Sequence, residues 1–554
     1  MKRVLTIIPA AGRGARMLSL TDNCPKAMVP VAGKPLISYL LDQIIETSQK
    51  DVCVIVGYKK EVLIDYITMM YSDKLNITFI EQTEQKGLNH AIYQAVAKNV
   101  CNDFDGVFVL LSDAIFTNKK VFNFNDESFI ACMPVEDYSR WCMVRIDDKR
   151  GIIGFIDKPK EKPDTNFAAA GAYYFTNTKL FKDSIAYGMR CDTINGEYQI
   201  SSSLEHYMKK ESLKEIIINP DQWFDFGDFT TYNKNKKLFN QCRYFNSITY
   251  TKNDSVIKTS ENNKSKIQKE ICWFLAIPDE LKKYVAQLKS YHLDDVHPGY
   301  EMSYCNGMTL QELWLYSNLD LEQWDHILQN IYKMLLDFSN NSDPSYKVDL
   351  SKFLKDNISK RVDNYLFNDQ IDYIINGRNC GNLADKYIYF EEKLNGLNNT
   401  RFSRIIHGDM VFSNILYDMS NEKITLIDPR GDFNGNIIYG DIRYDLAKLT
   451  QCILGDYDYI VNDLVKFNID NHNVYYETYE SLSSKTYNEK LDLVYKLCKL
   501  FHVNASNIIF ITAIQFLTMI PLHAESKNHQ DMMFIKFVEL LNMAYQLDCV
   551  DCNE

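Results

Sequence analysis

The chain has 554 residues, 46% of them hydrophobic and 24% charged, with a net charge of -12. At roughly 100–200 residues per domain this supports more than one structural unit, each with enough chain to bury a core. The acidic balance excludes a general nucleic-acid binder, which needs clustered Lys and Arg against phosphate backbones.

The first elements alternate between strand and helix. Val4 to Ile8 is a short β run that stops at Pro9 and Gly12, too short for the core of a signal peptide. Leu36 to Ile45 has the apolar spacing of a helix. Val52 to Val56 is a buried strand closed by Gly57, and Val107 to Leu111 is another. This alternation predicts an α/β unit whose mainly parallel sheet is covered on both faces. Near residues 235–265 the chain becomes polar around a short β-like piece, Ser247 to Lys258. Beyond about 265 the pattern is mostly helical. A domain boundary is therefore expected near 240, giving units 1–240 and 241–554. The longest apolar stretch, Ile508 to Leu522, is interrupted by Thr512, Gln515, Thr518 and Pro521. It predicts a buried helix, not a membrane span. The 14 Cys are scattered. Only Cys549 and Cys552 show paired spacing, and free thiols in a reducing, cytoplasmic compartment are the expectation.

Two constellations carry chemistry. The first begins where the first strand runs into Pro9-Ala10-Ala11-Gly12-Arg13-Gly14-Ala15-Arg16-Met17, followed by Pro25-Lys26. Small residues let the backbone approach a triphosphate, and exposed N–H groups bind phosphate oxygens. Arg13, Arg16 and Lys26 supply positive charge for those phosphates. No Gly-Lys-Ser/Thr follows, so this is not a Walker loop, and the third Gly of a dinucleotide fold is absent.

The string through Gly33-Lys34-Pro35-Leu36-Ile37 closely resembles the signature of the sugar-phosphate nucleotidylyltransferases. That resemblance implies a Rossmann-like mixed sheet with the triphosphate over Ala11, Gly12, Arg13 and Gly14. Gln82 and Gly87-Leu88-Asn89-His90-Ala91 resemble the segment that reads the nucleobase. Asp113, ending a strand, and Asp225, in Trp223-Phe224-Asp225-Phe226-Gly227, resemble the two carboxylates that hold Mg²⁺. Asp157-Lys158-Pro159 resembles a Glu-Lys-Pro segment whose Lys contacts the acceptor phosphate, with Asp157 replacing the Glu. Gly171-Ala172-Tyr173 and Gly196-Glu197-Tyr198 resemble the sugar-site segments, with Gly171 and Glu197 as substrate-binding residues. Asp228 stands where Thr is common. The implied reaction is attack of a phosphate monoester on a nucleoside triphosphate, CTP or UTP, with Arg16 and Lys26 stabilising the departing pyrophosphate and Lys158 holding the acceptor.

The second constellation is His407-Gly408-Asp409-Met410-Val411-Phe412-Ser413-Asn414, followed by Ile427-Asp428-Pro429-Arg430-Gly431. A loop Asp, an Asn five residues on and an Asp from a hairpin form a phosphotransfer set. It resembles the aminoglycoside phosphotransferase and choline kinase family, which implies an α+β, protein-kinase-like fold. On that resemblance Asp409 is the catalytic carboxylate, Asn414 and Asp428 are Mg²⁺ ligands, Lys258 and Glu270 form the ATP-binding ion pair, and Asp445 is structural. Tyr300 to Tyr304 is either a hinge against adenine or an interior strand. No Gly-rich loop precedes Lys258; Phe245-Asn246-Ser247-Ile248 takes its place.

A kinase makes the phosphate ester that a nucleotidylyltransferase consumes. Together the halves imply a bifunctional enzyme that phosphorylates a small hydroxyl compound with ATP and activates the product with a nucleotide, giving a nucleotide sugar for surface or capsule polysaccharide. An amino alcohol of the choline or ethanolamine type is the alternative substrate. A scaffold or regulatory protein with one inactive half is a third reading, opposed by the intact Asp409, Asn414, Asp428, Asp113 and Asp225. Oligomeric state is not readable from the sequence.

Overall fold

The computed structural model describes residues 2–147, 151–236, 247–251, 254–362, 367–479 and 486–551. The chain divides into two compact units, one of Met1–Phe239 and one of Asn240–Glu554, apart from a short segment at 316–318.

Unit 1 is built on a mixed sheet. Among the described residues it has nine strands. Val4–Pro9, Asp51–Val56, Asn76–Glu81 and Gly106–Leu110 run parallel, with Val4–Pro9 between Asp51–Val56 and Gly106–Leu110. The three inner ones are nearly continuous apolar runs because both faces of the sheet are covered there; Val4, Ile7, Ile8, Val54 and Val109 are fully buried, whereas the edge strand Asn76–Glu81 is mostly exposed or half-buried. The helices Leu36–Ile45, Lys60–Tyr71 and Leu88–Ala97 follow in chain order. The sheet is not mainly parallel, however. Phe167–Phe175 pairs antiparallel with Gly106–Leu110 and with Phe129–Pro134. Cys142–Ile146 and Ile152–Asp157 add a further antiparallel pair at one edge. In a parallel α/β sheet, ligand-binding loops gather at the carboxyl ends of the strands. The Ala11–Gly14 loop, Gly57, Gln82 and Asp113 all follow such ends.

Unit 2 begins with a four-stranded antiparallel sheet in the order Ser247–Tyr250, Ser255–Thr259, Gly299–Ser303, Leu288–His292. The β-like piece after 247 is thus a hairpin, and Tyr300 to Ser303 lie within an interior strand. The helix Lys264–Ala276 follows the hairpin. A second hairpin, Ile415–Asp418 with Lys423–Leu426, sits among long helices that include Ile442–Ile453, Ala505–Met519 and Lys527–Asp551. A third hairpin, Val465–Asp470 with Asn473–Thr478, interrupts the region expected to be mostly helical. Among the described residues one helix, Ala505–His523, is long and apolar enough to cross a membrane, and 67% of it is buried inside the protein. The described cysteines are all free; Cys552 lies outside the described residues.

Candidate active sites

In unit 1 the loop after the first strand turns at Gly14, whose φ is +73°; a Cβ there would also lie 2.8 Å from the Cβ of Lys26. Glycine alone permits both the left-handed turn and the close approach of Lys26. Ala11 is buried, and its carbonyl accepts hydrogen bonds from the Tyr58 N–H and from Gln85 Nε2, both at 3.0 Å. Gly12 and Arg16 are exposed. Arg13 donates to Asp22 at 3.1 Å and lies over the Tyr58 ring, so it is turned toward a neighbouring loop.

Two carboxylates far apart in sequence meet because Ala114–Phe116 pairs antiparallel with Trp223–Asp225, in a register that places Asp225 opposite Ala114. The Phe226 N–H donates to the Asp113 carbonyl at 2.8 Å, completing the junction. Lys26 Nζ donates to Asp113 Oδ2 at 2.7 Å and to the Gly227 carbonyl at 3.2 Å. Burial alone would raise the Asp113 pKa, but Lys26, with Arg16 behind it, holds the group below the usual carboxylate range. Asp225 behaves differently. Burial and the neighbouring Asp113 charge push it up to about 6, although Arg140 and the Gly227 N–H pull the other way. Arg140 bridges Asp225 and Asp228, at 2.7 Å to the latter. Two crowded carboxylates form an oxygen donor set suited to a hard divalent cation.

Gln82 is buried and its Nε2 lies 2.9 Å from His90 Nδ1. Gly87 has a φ of +94°, and a Cβ there would lie 2.8 Å from the Tyr198 carbonyl. Hydrogen bonds from the Tyr198 N–H to Lys86 and from the Asn89 N–H to Tyr198 tie this segment to the one carrying Glu197. Lys158 Nζ lies 3.6 Å from Glu197 Oε2. The Lys158 N–H donates to the Trp141 carbonyl at 2.8 Å, and Asp157 accepts from Ser201. Gly171 is buried, and its carbonyl accepts from the Leu111 N–H at 2.9 Å. Beside it, Trp223 Nε1 donates to the Ala170 carbonyl, and the Trp141 and Trp223 rings pack edge to face with centroids 5.6 Å apart.

In unit 2, Lys258 is buried with its Nζ 2.8 Å from Glu270 Oε2 and 2.7 Å from Asp428 Oδ1. Burial disfavours the ammonium, but the two carboxylates outweigh it and raise the Lys258 pKa. Tyr300 also donates to Glu270 Oε2, at 2.7 Å, so its side chain belongs to this cluster. Asp428 has a φ of +59°, uncommon for a residue with a side chain and a conformation that collects at functional sites. The hairpin brings Asn414 and Asp428 to one end, with the Ile427 N–H donating to the Asn414 carbonyl at 3.0 Å. Asn414 Nδ2 donates to Asp409 Oδ2 at 3.1 Å, while Asn414 Oδ1 is buried with no hydrogen-bond partner. An orphaned amide oxygen beside Asp428 fits a missing cation ligand.

Asp409 is held below the usual carboxylate range: burial would raise it, but Lys448, 3.2 Å from Oδ1, and further cations lower it. The loop itself is clamped by Asp445, whose two oxygens accept from the His407 and Gly408 N–H groups at 2.8 Å. Burial pushes Asp445 up to about 7 in spite of those bonds. Asp409, Asn414, Asp428 and Lys448 line one cavity of about 1410 Å³. Phe245 and Asn246, which replace the Gly-rich loop in the sequence, lie outside the described residues.

Sequence reasoning missed Arg140, Gln85 and Lys448. Only Lys448 left a usable signal: it is a lone cation in Leu446-Ala447-Lys448-Leu449, one helical turn after Asp445, on a helix that is buried throughout.

The family described as nucleotidyl transferase matches residues 5–241. The chain is 32% identical over 207 residues to the UTP–glucose-1-phosphate uridylyltransferase AglF of Haloferax volcanii, covering 36% of this chain and 81% of that protein. It is 30% identical over 223 residues to the bifunctional protein GlmU of Methanococcus aeolicus, covering 40% of this chain and 51% of that protein. The chain thus spans about half the length of this curated relative. A solved UDP-glucose pyrophosphorylase bound to UDP-glucose is 23% identical, with a TM-score of 0.38, over 43% of this chain and 98% of that one.

Proposed function

The chain belongs, through residues 5–241, to the nucleotidyl transferase family, and from that premise we propose that it is a bifunctional enzyme. Unit 2 phosphorylates a small hydroxyl compound with ATP, and unit 1 couples the phosphate ester to a nucleotide from CTP or UTP. The observation that carries the double reading is in unit 2, where Lys258, Glu270 and Asp428 meet in one ion-pair cluster while Asp428 also lines a cavity with Asp409 and Asn414.

In unit 1 an acceptor phosphate oxygen attacks the α-phosphorus of the triphosphate and pyrophosphate leaves. Every reacting group is anionic, so catalysis is positioning and charge neutralisation. The Ala11–Gly14 backbone receives the triphosphate, Lys26 and Arg16 balance the departing pyrophosphate, and Lys158 orients the acceptor phosphate. Gln82 and the Gly87 segment face the base, and Gly171 and Glu197 the rest of the acceptor. Asp113 and Asp225 would hold Mg²⁺, which when bound supplies Lewis-acid stabilisation of the phosphoryl oxygens.

In unit 2 the ionised Asp409 accepts the proton of the substrate hydroxyl, whose oxygen attacks the γ-phosphorus as ADP leaves. Lys258, fixed by Glu270, neutralises the ATP phosphates. Asn414 and Asp428 would hold Mg²⁺ there.

A sugar is the first substrate reading, supported by the uridylyltransferase relative. A cationic amino alcohol is the alternative: Trp141 packs on Trp223 next to Gly171 and Lys158, with the Arg140 guanidinium 4.8 Å above its ring. A quaternary ammonium would use that ring face only by displacing Arg140. Incubation with Mg²⁺, ATP and each of CTP, UTP, GTP or dTTP, with pooled free sugars and amino alcohols, separates these by mass spectrometry. A nucleoside-diphospho product names acceptor and base. A phosphorylated compound without a nucleotide adduct leaves the kinase half alone standing, and no product from any pool favours a scaffold.

A further inference from the structure

A second cluster of ligating side chains lies apart from Asp409, Asn414 and Asp428. At the junction between the helix Ala505–Met519 and the helix Lys527–Asp551, a ring nitrogen from each of His523 and His529 and a carboxylate oxygen of Glu525 lie within 4.8 Å of one another. His523 Nδ1 is 3.1 Å from Glu525 Oε1. Tetrahedral ligands at bond lengths of about 2.0–2.2 Å sit about 3.3–3.6 Å apart, so this pair is within a few tenths of an ångström of ligand spacing.

His529 adds the observation that points to a ligand. Its Nε2 lies 2.9 Å from Asp463 Oδ1. That carboxylate fixes the tautomer with the proton on Nε2, leaving a lone pair on Nδ1. Nδ1 is buried and has no hydrogen-bond partner. A carboxylate orienting a histidine whose other nitrogen is left without a hydrogen-bond partner is the supporting arrangement of a metal-bound imidazole. The residue is also held in place, since its N–H donates to Ser526 Oγ at 3.3 Å.

We propose that His523, Glu525 and His529 bind one Zn²⁺ ion at the rim of the unit 2 cavity. Two imidazoles and one carboxylate select Zn²⁺ over Mg²⁺, which prefers oxygen donors in octahedral array. Three protein ligands leave a fourth tetrahedral position. His523 and Glu525 both line the cavity, so that position is available to water or to an oxygen or nitrogen of a molecule held there.

The test uses full-length metal-free protein in excess Mg²⁺, titrated with Zn²⁺ and, for its spectrum, with Co²⁺. One Zn²⁺ per chain is expected, and Co²⁺ should give the visible bands of a tetrahedral site with no thiolate charge-transfer absorption. Glu525→Gln changes an exposed side chain and should weaken binding at least tenfold without altering the fold. Asp463→Asn, on a residue that does not touch the metal, should weaken it about 10–100-fold. Binding unchanged in Glu525→Gln, or a Co²⁺ spectrum dominated by thiolate absorption from the free cysteines, would overturn the site.

Discussion

The two candidate sites hold their acids in different ways. In unit 1 each carboxylate has its own cation from a different loop: Lys26 for Asp113 and Arg140 for Asp225. Asp113 is about one-third exposed and Lys26 about one-eighth, so this arrangement is open to solvent and to exchange of partners. In unit 2 a single buried ammonium, Lys258, serves both Glu270 and Asp428, and each of the three side chains is less than one-tenth exposed. The contrast separates acids that each have their own cation from acids that share one buried ammonium.

The largest effect should come from breaking the buried cluster. Lys258→Met leaves two carboxylates without their cation and should cost about 3–5 kcal/mol of stability in unit 2. Lys26→Met, in the more open pair, should cost about 1 kcal/mol or less in unit 1. Denaturant unfolding of the full chain reads both, and equal losses would erase the distinction.

The next effect is one of pH. Asp225 shifts from 3.8 to about 6 on folding, so the folded protein binds this proton more tightly than the unfolded chain. Metal-free unit 1 should therefore lose stability as pH rises between about 4 and 6, and Asp225→Asn should remove that slope. Mg²⁺ bound at Asp225 would compete with this proton, so saturating Mg²⁺ should also abolish the slope. A slope in the metal-free protein that survives Asp225→Asn would show that Asp225 does not take up this proton.

A smaller effect sharpens the substrate. Trp141→Ala should weaken a cationic phosphate-ester acceptor by roughly 1 kcal/mol, about fivefold in KM, and leave a neutral sugar phosphate nearly unchanged. The reverse pattern would remove the amino-alcohol reading.

What the sequence disclosed follows the same divide. Three parallel strands of unit 1 were legible because burial on both faces writes them as the apolar runs Val4 to Ile8, Val52 to Val56 and Val107 to Leu111; the edge strand Asn76–Glu81, largely exposed, was not. The antiparallel edge was not, since Cys142–Ile146 and Ile152–Asp157 mix buried and exposed positions over few residues. The hairpin Val465–Asp470 with Asn473–Thr478 was readable in principle. Its turn residue Asn471 has a φ of +54°, as Asn tolerates, and Val465, Phe467 and Ile469 alternate with Lys466, Asn468 and Asp470, but the strands are short and largely exposed. Among site residues, those inside contiguous motifs could be named. Arg140 could not, because a lone cation acquires meaning only from acids such as Asp225 and Asp228 that folding delivers from distant segments.

The most direct measurement is a crossed activity assay with the acceptor identified by the mass-spectrometric screen. Asp409→Asn and Asp225→Asn are each assayed for ATP-dependent phosphorylation and for nucleotide coupling of the supplied phosphate ester. Two independent sites require that Asp409→Asn lower phosphorylation about a thousandfold while coupling continues, and that Asp225→Asn do the opposite. Loss of both activities in either variant, with the fold intact, would contradict a two-site enzyme.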